Sequence, residues 1–240
     1  DEKTAVSALA DDYTGLIMNS GCDAVQLIGY SFGGWLATQC AVRLVEAGKE
    51  ISDLVLIDPQ TVPWEIDNEL ITEMMFLPNA GISLPTDGTG TDAESAFAYL
   101  LEKCGRIPEN AAEILAESER FADFGGLMAR LEKMTREERF EFYTSGAKNS
   151  GSAPAADMLM SLYGLFSSTT RYTKGDMEPY FGDVRYINAA DTEGLFFGSD
   201  KNISYWSDIC IGDMEIIQAK GGHFTSVADP ENASAIAELL

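Results

Sequence analysis

The chain has 240 residues, 45% of them apolar, which is enough for one α/β domain with a sizeable core and too many for a disordered segment. Its 39 acidic against 16 basic side chains give a net charge of −23, which argues against nucleic acid or an anionic membrane as partner. Four cysteines with no Cys-x-x-Cys pair, one histidine, and no long apolar run argue against a zinc site, a signal core and a membrane span; the expectation is a cytoplasmic protein with free thiols.

Residues 7–18 have helical spacing (Leu9, Ala10, Tyr13, Leu16, Ile17) and stop at Asn19-Ser20-Gly21. Val25, Leu27 and Ile28 mark a buried strand over 24–29, and 34–47 reads as a mostly apolar helix closed by Gly48. The run 51–57 is short and rich in branched residues, as a parallel strand covered on both faces requires, and it ends at Asp58-Pro59. After Trp64 no convincing strand appears for about a hundred residues by pattern. Instead a Gly/Pro/Thr/Asp-rich loop at 78–92 leads to helical patterns at 92–103, 108–120 and 126–134. Thr135-Arg136-Glu137-Glu138 has the form of a capping box, and a further helix covers 155–167. The aromatic residues Phe76, Phe97, Tyr99, Phe121, Phe140 and Tyr163 of this stretch could line an apolar channel, but most are expected to pack its helices. The α/β pattern returns with a strand at 183–188, a connecting segment at 204–211, a strand at 213–219 and a final helix begun by Asp229-Pro230-Glu231.

Between the first strand and its helix lies Gly29-Tyr30-Ser31-Phe32-Gly33, a nucleophile-elbow pattern in strand–turn–helix context. A sharp turn exposes the Ser31 hydroxyl at the cost of strained backbone angles, and Gly29 and Gly33 let strand and helix pass closely. Serine needs a base, and His223, the single histidine, follows the last strand in a Gly-Gly-His loop. Two residues could orient that base: Asp58 at the end of the strand after the elbow, and Asp191 at the end of the strand after the helical stretch. Either emerges at the carboxyl edge of a parallel sheet and gives the order Ser…Asp…His, so the residues alone leave both open. Phe32 follows the nucleophile, and its backbone N–H is the natural first oxyanion donor.

The run Gly29-Tyr30-Ser31-Phe32-Gly33-Gly34-Trp35-Leu36-Ala37, with Leu54-Val55-Leu56-Ile57-Asp58 and Gly221-Gly222-His223-Phe224, resembles the terminal thioesterase domains of nonribosomal peptide synthetases. The resemblance implies an α/β-hydrolase-type parallel sheet built from residues 1–63 and 176–240, with a helical lid inserted at 64–175. It selects Asp58 over Asp191 as the acid, in a Ser31–His223–Asp58 triad. It implies no metal and no bound cofactor, the substrate arriving as an acyl or peptidyl thioester on the phosphopantetheine of a carrier domain. Because carrier domains are acidic like this chain, tethering in one polypeptide is the expected means of delivery. The chain departs from the family upstream of the elbow, where there is room for only one helix and one strand. The expected sheet therefore lacks the N-terminal strands and leaves the elbow strand at an edge. A general serine esterase and a catalytically degenerate interaction module are the rival readings.

Overall fold

Four apolar runs form four strands: β1 (Ala24–Tyr30), β2 (Glu50–Ile57), β3 (Val184–Ala189) and β4 (Met214–Ala219). They make one parallel sheet in the order β1-β2-β3-β4. The computed structural model describes residues 2–61, 68–80, 82, 84, 93–147, 155–172, 177–190, 199–223 and 225–240. Parallel neighbours need crossovers. Between β1 and β2 the crossover is α2 (Phe32–Glu46), preceded in the chain by α1 (Glu2–Met18). Between β3 and β4 it is α9 (Ser199–Ile209), and β4 is followed by α10 (Thr225–Ala228) and α11 (Pro230–Ala237).

Strand alternation decides which side chains meet which helices. Leu54, Leu56, Val184 and Tyr186 face Trp35 and Ala41 of α2 and Trp206 of α9. Val55, Ile57, Ile187 and Ala219 take the opposite face and meet Ile236 of α11. The β1–β2 register slips between Val25 and Gln26, passing over Ser52, so Ile51 stays on the α2 face with Leu54. β1 pairs with β2 alone and is the edge of the sheet among the described residues. Ile28 on that strand is 47% exposed.

Besides the four-residue α10, two helices were not anticipated by pattern. The segment expected to be a connection at 204–211 is largely α9, whose Asn202 and Trp206, with Cys210 just past its end, are buried at four-residue intervals. That period is helical, and Trp206 is its only large apolar member, so the signal in sequence is thin.

The other is α3 (Glu69–Asn79), which opens a second compact unit built on residues 64–167, distinct from the unit of 1–63, 168–193 and 197–240. Pro78 near its end and the loop signals after it conceal a helix that buries Leu70, Ile71, Met74, Met75, Phe76 and Leu77. This unit continues through α4 (Ala93–Cys104), α5 (Ala111–Ala116), α6 (Ala122–Leu131), α7 (Arg136–Ala147) and the start of α8 (Ala156–Tyr172). The capping box forms as the sequence requires: Glu138 accepts from the Thr135 N–H at 2.8 Å, and Thr135 Oγ1 accepts from the Glu138 N–H at 3.2 Å. Phe76, Phe97, Phe121 and Phe140 are all buried in packing contacts.

A charge is buried in this helical unit. Glu73, with no exposed surface, receives both Nε (2.7 Å) and Nη2 (2.6 Å) of Arg139 and the Tyr143 hydroxyl (2.9 Å). Burial, the Glu73 charge and this hydrogen bond hold the Tyr143 phenol above its usual range, so it remains a donor. Arg139→Met leaves the Glu73 carboxylate uncompensated and is expected to cost about 3–5 kcal/mol in urea unfolding. Arg136→Ala, which removes a partner of Glu69 that is 52% exposed on its own side chain, is expected to cost about 0–1 kcal/mol in the same measurement.

Candidate active site

The site grows from the ends of three strands. Ser31 follows β1, Asp58 follows β2, and His223 lies four residues beyond the end of β4. In a parallel sheet these ends share one edge. Ser31 has φ 54° and ψ −125°, and Asp58 has φ 42°; they are the non-glycine residues with positive φ among those described. Both turns are held by the neighbouring strand: the Ser31 N–H donates to Ile57 O at 3.0 Å, and the Asp58 N–H donates to Ile187 O at 2.8 Å. The next link is in α2, where the Gly34 N–H closes the elbow on Ser31 O at 2.9 Å.

The elbow glycines divide their roles differently from the sequence expectation. A Cβ on Gly29 would collide with the Gly33 carbonyl and lie 2.6 Å from Gly34 Cα, so this is where strand and helix touch. A Cβ on Gly33 would meet nothing within 4 Å. Gly34 is the second close approach, since its Cβ would stand 2.7 Å from Pro59 Cβ.

His223 joins the other two side chains. Its Nε2 is 2.9 Å from Ser31 Oγ and its Nδ1 is 2.7 Å from Asp58 Oδ2. Asp58 is 1% exposed and His223 7%, while Ser31 is half-buried and reachable. An ionised carboxylate accepts only, so Nδ1 carries the proton and Nε2 presents a lone pair to the serine hydroxyl. The arrangement can move the serine proton to an imidazole whose resulting charge faces a buried carboxylate.

The loop that carries His223 is itself fastened. Gly221 has φ 89°, and a Cβ there would stand 2.9 Å from the Ser226 N–H nitrogen. The Gly222 N–H donates to Thr225 Oγ1 at 2.8 Å. The His223 carbonyl accepts from the Tyr30 hydroxyl at 2.8 Å and from Ser226 Oγ at 3.0 Å. The Tyr30 ring also stacks on the imidazole, with centroids 5.1 Å apart. Burial and the nearby Asp58 charge raise the Tyr30 phenol above its usual range, so it stays a donor.

Of the expected residues, Ser31, Asp58 and His223 are thus brought together, and Phe32 is the first residue of α2 beside them. Asp191 lies outside the described residues. Tyr30, Ser226 and Gln60 were missed; Gln60 Nε2 donates to Asp58 Oδ2 at 2.8 Å. Tyr30 was in view as the second residue of the elbow motif, but nothing in a pattern says that its ring reaches a loop 193 residues away. No group of three or more histidine, cysteine or acidic side chains placed to hold a metal occurs among the described residues.

A parallel sheet with a serine at a strand–turn–helix elbow is the α/β-hydrolase architecture. The chain belongs to the thioesterase domain family, which matches residues 2–240. It is 25% identical over 232 and 228 residues to the pyochelin synthetase PchF of two strains of Pseudomonas aeruginosa. Each alignment covers 93% of this chain and 12% of the relative, so the chain spans about an eighth of the length of these proteins. A solved four-domain nonribosomal peptide synthetase, bound to AMP and glycine, superposes with a TM-score of 0.57 at 15% identity, covering 99% of this chain and 16% of that one.

The glycine geometry makes opposite predictions for two neighbours. Gly29→Ala drives a methyl group into the backbone of α2 and is expected to cost about 1–3 kcal/mol, read as a lowered thermal midpoint. Gly33→Ala adds a methyl group in open space on a helix and is expected to leave the midpoint unchanged or raise it slightly.

Proposed function

We propose that the chain is a serine thioesterase that releases an acyl or peptidyl chain from the phosphopantetheine of a carrier domain, with Ser31, His223 and Asp58 as its triad. The continuous hydrogen-bonded series Ser31–His223–Asp58 carries this reading. Membership of the thioesterase domain family supplies the reaction class.

In the first step Ser31 Oγ attacks the thioester carbonyl as His223 Nε2 takes its proton. Asp58 holds the tautomer and stabilises the imidazolium. The Phe32 N–H, next to the nucleophile at the start of α2, donates to the developing oxyanion, a contact of a kind worth about 3–4 kcal/mol of barrier. The C–S bond breaks, the departing thiolate takes the proton from His223, and the acyl group remains on Ser31. In the second step water, or a nucleophile on the acyl chain, gives its proton to His223 and attacks the ester. Hydrolysis or cyclised release then restores Ser31. The inserted segment 64–175 acts as a lid that shapes the acyl path, and its place in the chain between Asp58 and β3 supports that role.

Delivery by a tethered carrier accords with the similar four-domain nonribosomal peptide synthetase, with synthetase relatives of which this chain covers 12%, and with a charge of −23 that gives no general attraction for an acidic partner. A cytoplasmic site of action accords with Cys22, Cys40, Cys104 and Cys210 all being free thiols. No helix among the described residues is long and apolar enough to cross a membrane. Burial raises the Cys210 thiol to about 12, so it packs and does not act as a nucleophile.

A fluorophosphonate probe is expected to label Ser31, and Ser31→Ala to abolish labelling; an unlabelled wild type would favour a non-catalytic binding module. Asp58→Asn is expected to lower turnover by about 10⁴-fold, while Asp191→Asn leaves it near wild type. A carrier-bound thioester is expected to turn over faster than a short p-nitrophenyl ester, and the opposite order would indicate a general esterase.

A further inference from the structure

The Asp58 carboxylate stands at one end of a chain of two amides, Gln60 half-buried and Asn202 buried. Gln60 Nε2 donates to Asp58 Oδ2 at 2.8 Å, the same oxygen that receives His223 Nδ1. Asn202 Nδ2, from α9, donates to Gln60 Oε1 at 3.1 Å. Asn202 Oδ1 in turn accepts from the Thr61 backbone N–H at 3.1 Å and from Thr61 Oγ1 at 2.7 Å. Thr61 is 5% exposed and Asn202 1%.

The chemistry of the ends fixes every orientation between them. The Thr61 backbone N–H can only donate, so the Asn202 atom facing it is the oxygen. The Asn202 NH2 therefore faces Gln60, whose oxygen must meet it, and the Gln60 NH2 is left facing Asp58. A carboxylate only accepts, which closes the series without conflict. Flipping either amide would set oxygen against oxygen and donor against donor in a largely buried site, where unmade hydrogen bonds are costly. The backbone is held to match: the Trp206 indole donates to Pro59 O at 2.8 Å and the Trp35 indole to Gln60 O at 3.0 Å.

We infer that Gln60 and Asn202 are positioning residues for the triad: the directed series Thr61→Asn202→Gln60 fixes the plane of the Asp58 carboxylate so that Oδ2 meets His223 Nδ1. This rests on the triad reading above. Rotation of the carboxylate out of that plane breaks the bonds to Gln60 and His223 together, because both use one oxygen.

The test uses the fact that the chain has one histidine, so a single imidazole contributes to its spectrum. Gln60→Met keeps length and removes the donor. Asn202→Asp keeps shape and the acceptor for Thr61 but turns the donor toward Gln60 into an acceptor. Each is expected to slow fluorophosphonate labelling of Ser31 by about 10–100-fold, the range for an outer partner of a functional ligand. With a thioester substrate, kcat is expected to fall while KM stays within about twofold, since neither side chain binds substrate. The downfield proton resonance of His223 Nδ1–H is expected to move or broaden. Gln60→Asn, which can offer the same donor from a shorter stem, is expected to recover part of the rate. If wild type labels but both variants label at its rate with the His223 resonance unmoved, the positioning role is overturned and the triad stands. If wild type itself does not label, the triad reading falls first. Should Gln60→Met lose its native circular dichroism, the isosteric Asn202→Asp decides by the same readouts.

Discussion

Ser31 and Asp58 both hold backbone angles that L-residues avoid, and the site depends on their being kept there. Asp tolerates the left-handed region better than most residues, whereas serine at φ 54° and ψ −125° has no such allowance. Each such position costs on the order of 1–3 kcal/mol and persists only where its surroundings over-determine it. Here they do: each strained residue donates its N–H to the last residues of the next strand, Ile57 for Ser31 and Ile187 for Asp58. The elbow is closed again by Gly34, and the Asp58 turn is stapled by two indoles that hold the carbonyls of Pro59 and Gln60. Trp35 and Trp206 are thus core residues and site residues at once. Their rings fill the α2–α9 face of the sheet, and their N–H groups fix the turn that carries Asp58.

The same economy governs the glycines. Gly29 permits the contact of β1 with the first turn of α2, and Gly34 permits the contact of α2 with Pro59. The Ser31 turn and the Asp58 turn therefore touch at Gly34, with Ser31 and Asp58 on opposite sides of one imidazole. His223 does not arrive there by its own rotamer preference alone. Its carbonyl is gripped by Tyr30 from the elbow and by Ser226 from α10, and its ring lies against the Tyr30 ring. Tyr30, the covalent neighbour of Ser31, thus ties the elbow to His223.

The elbow and the strands were legible because their signals are local. Gly29 to Gly33 lie within five residues, and the runs 51–57 and 213–219 are apolar and branched enough to identify as strands. The capping box at Thr135 was legible for the same reason. What could not be read was long-range or amphipathic in disguise. Gln60 and Asn202 are ordinary polar residues whose meaning comes from a contact across 142 positions. The α3 helix buries Glu73, a residue that by type belongs on a surface, and its partners Arg139 and Tyr143 lie about seventy positions on in sequence. The carboxylate expected beside His223 was in between. Residue pattern left Asp58 and Asp191 equal, and a resemblance, not a physical argument, favoured the one that lies 2.7 Å from His223.

Two buried carboxylates among the described residues, Glu73 and Asp58, are compensated in different ways. Glu73 is matched by a guanidinium in a two-pronged contact and by a phenol, so its charge is spent within its own unit. Asp58 is equally removed from water, yet its side chain receives one neutral amide and one imidazole. A guanidinium in place of Gln60 would satisfy the carboxylate and hold it as firmly. It would also neutralise the charge on which a protonated His223 relies, and the imidazolium would lose its stabilising partner. An amide whose orientation is fixed from Thr61 gives the geometry without the neutralisation. Orientation by neutral donors is therefore the arrangement that would leave the Asp58 charge available to His223 in the proposed reaction.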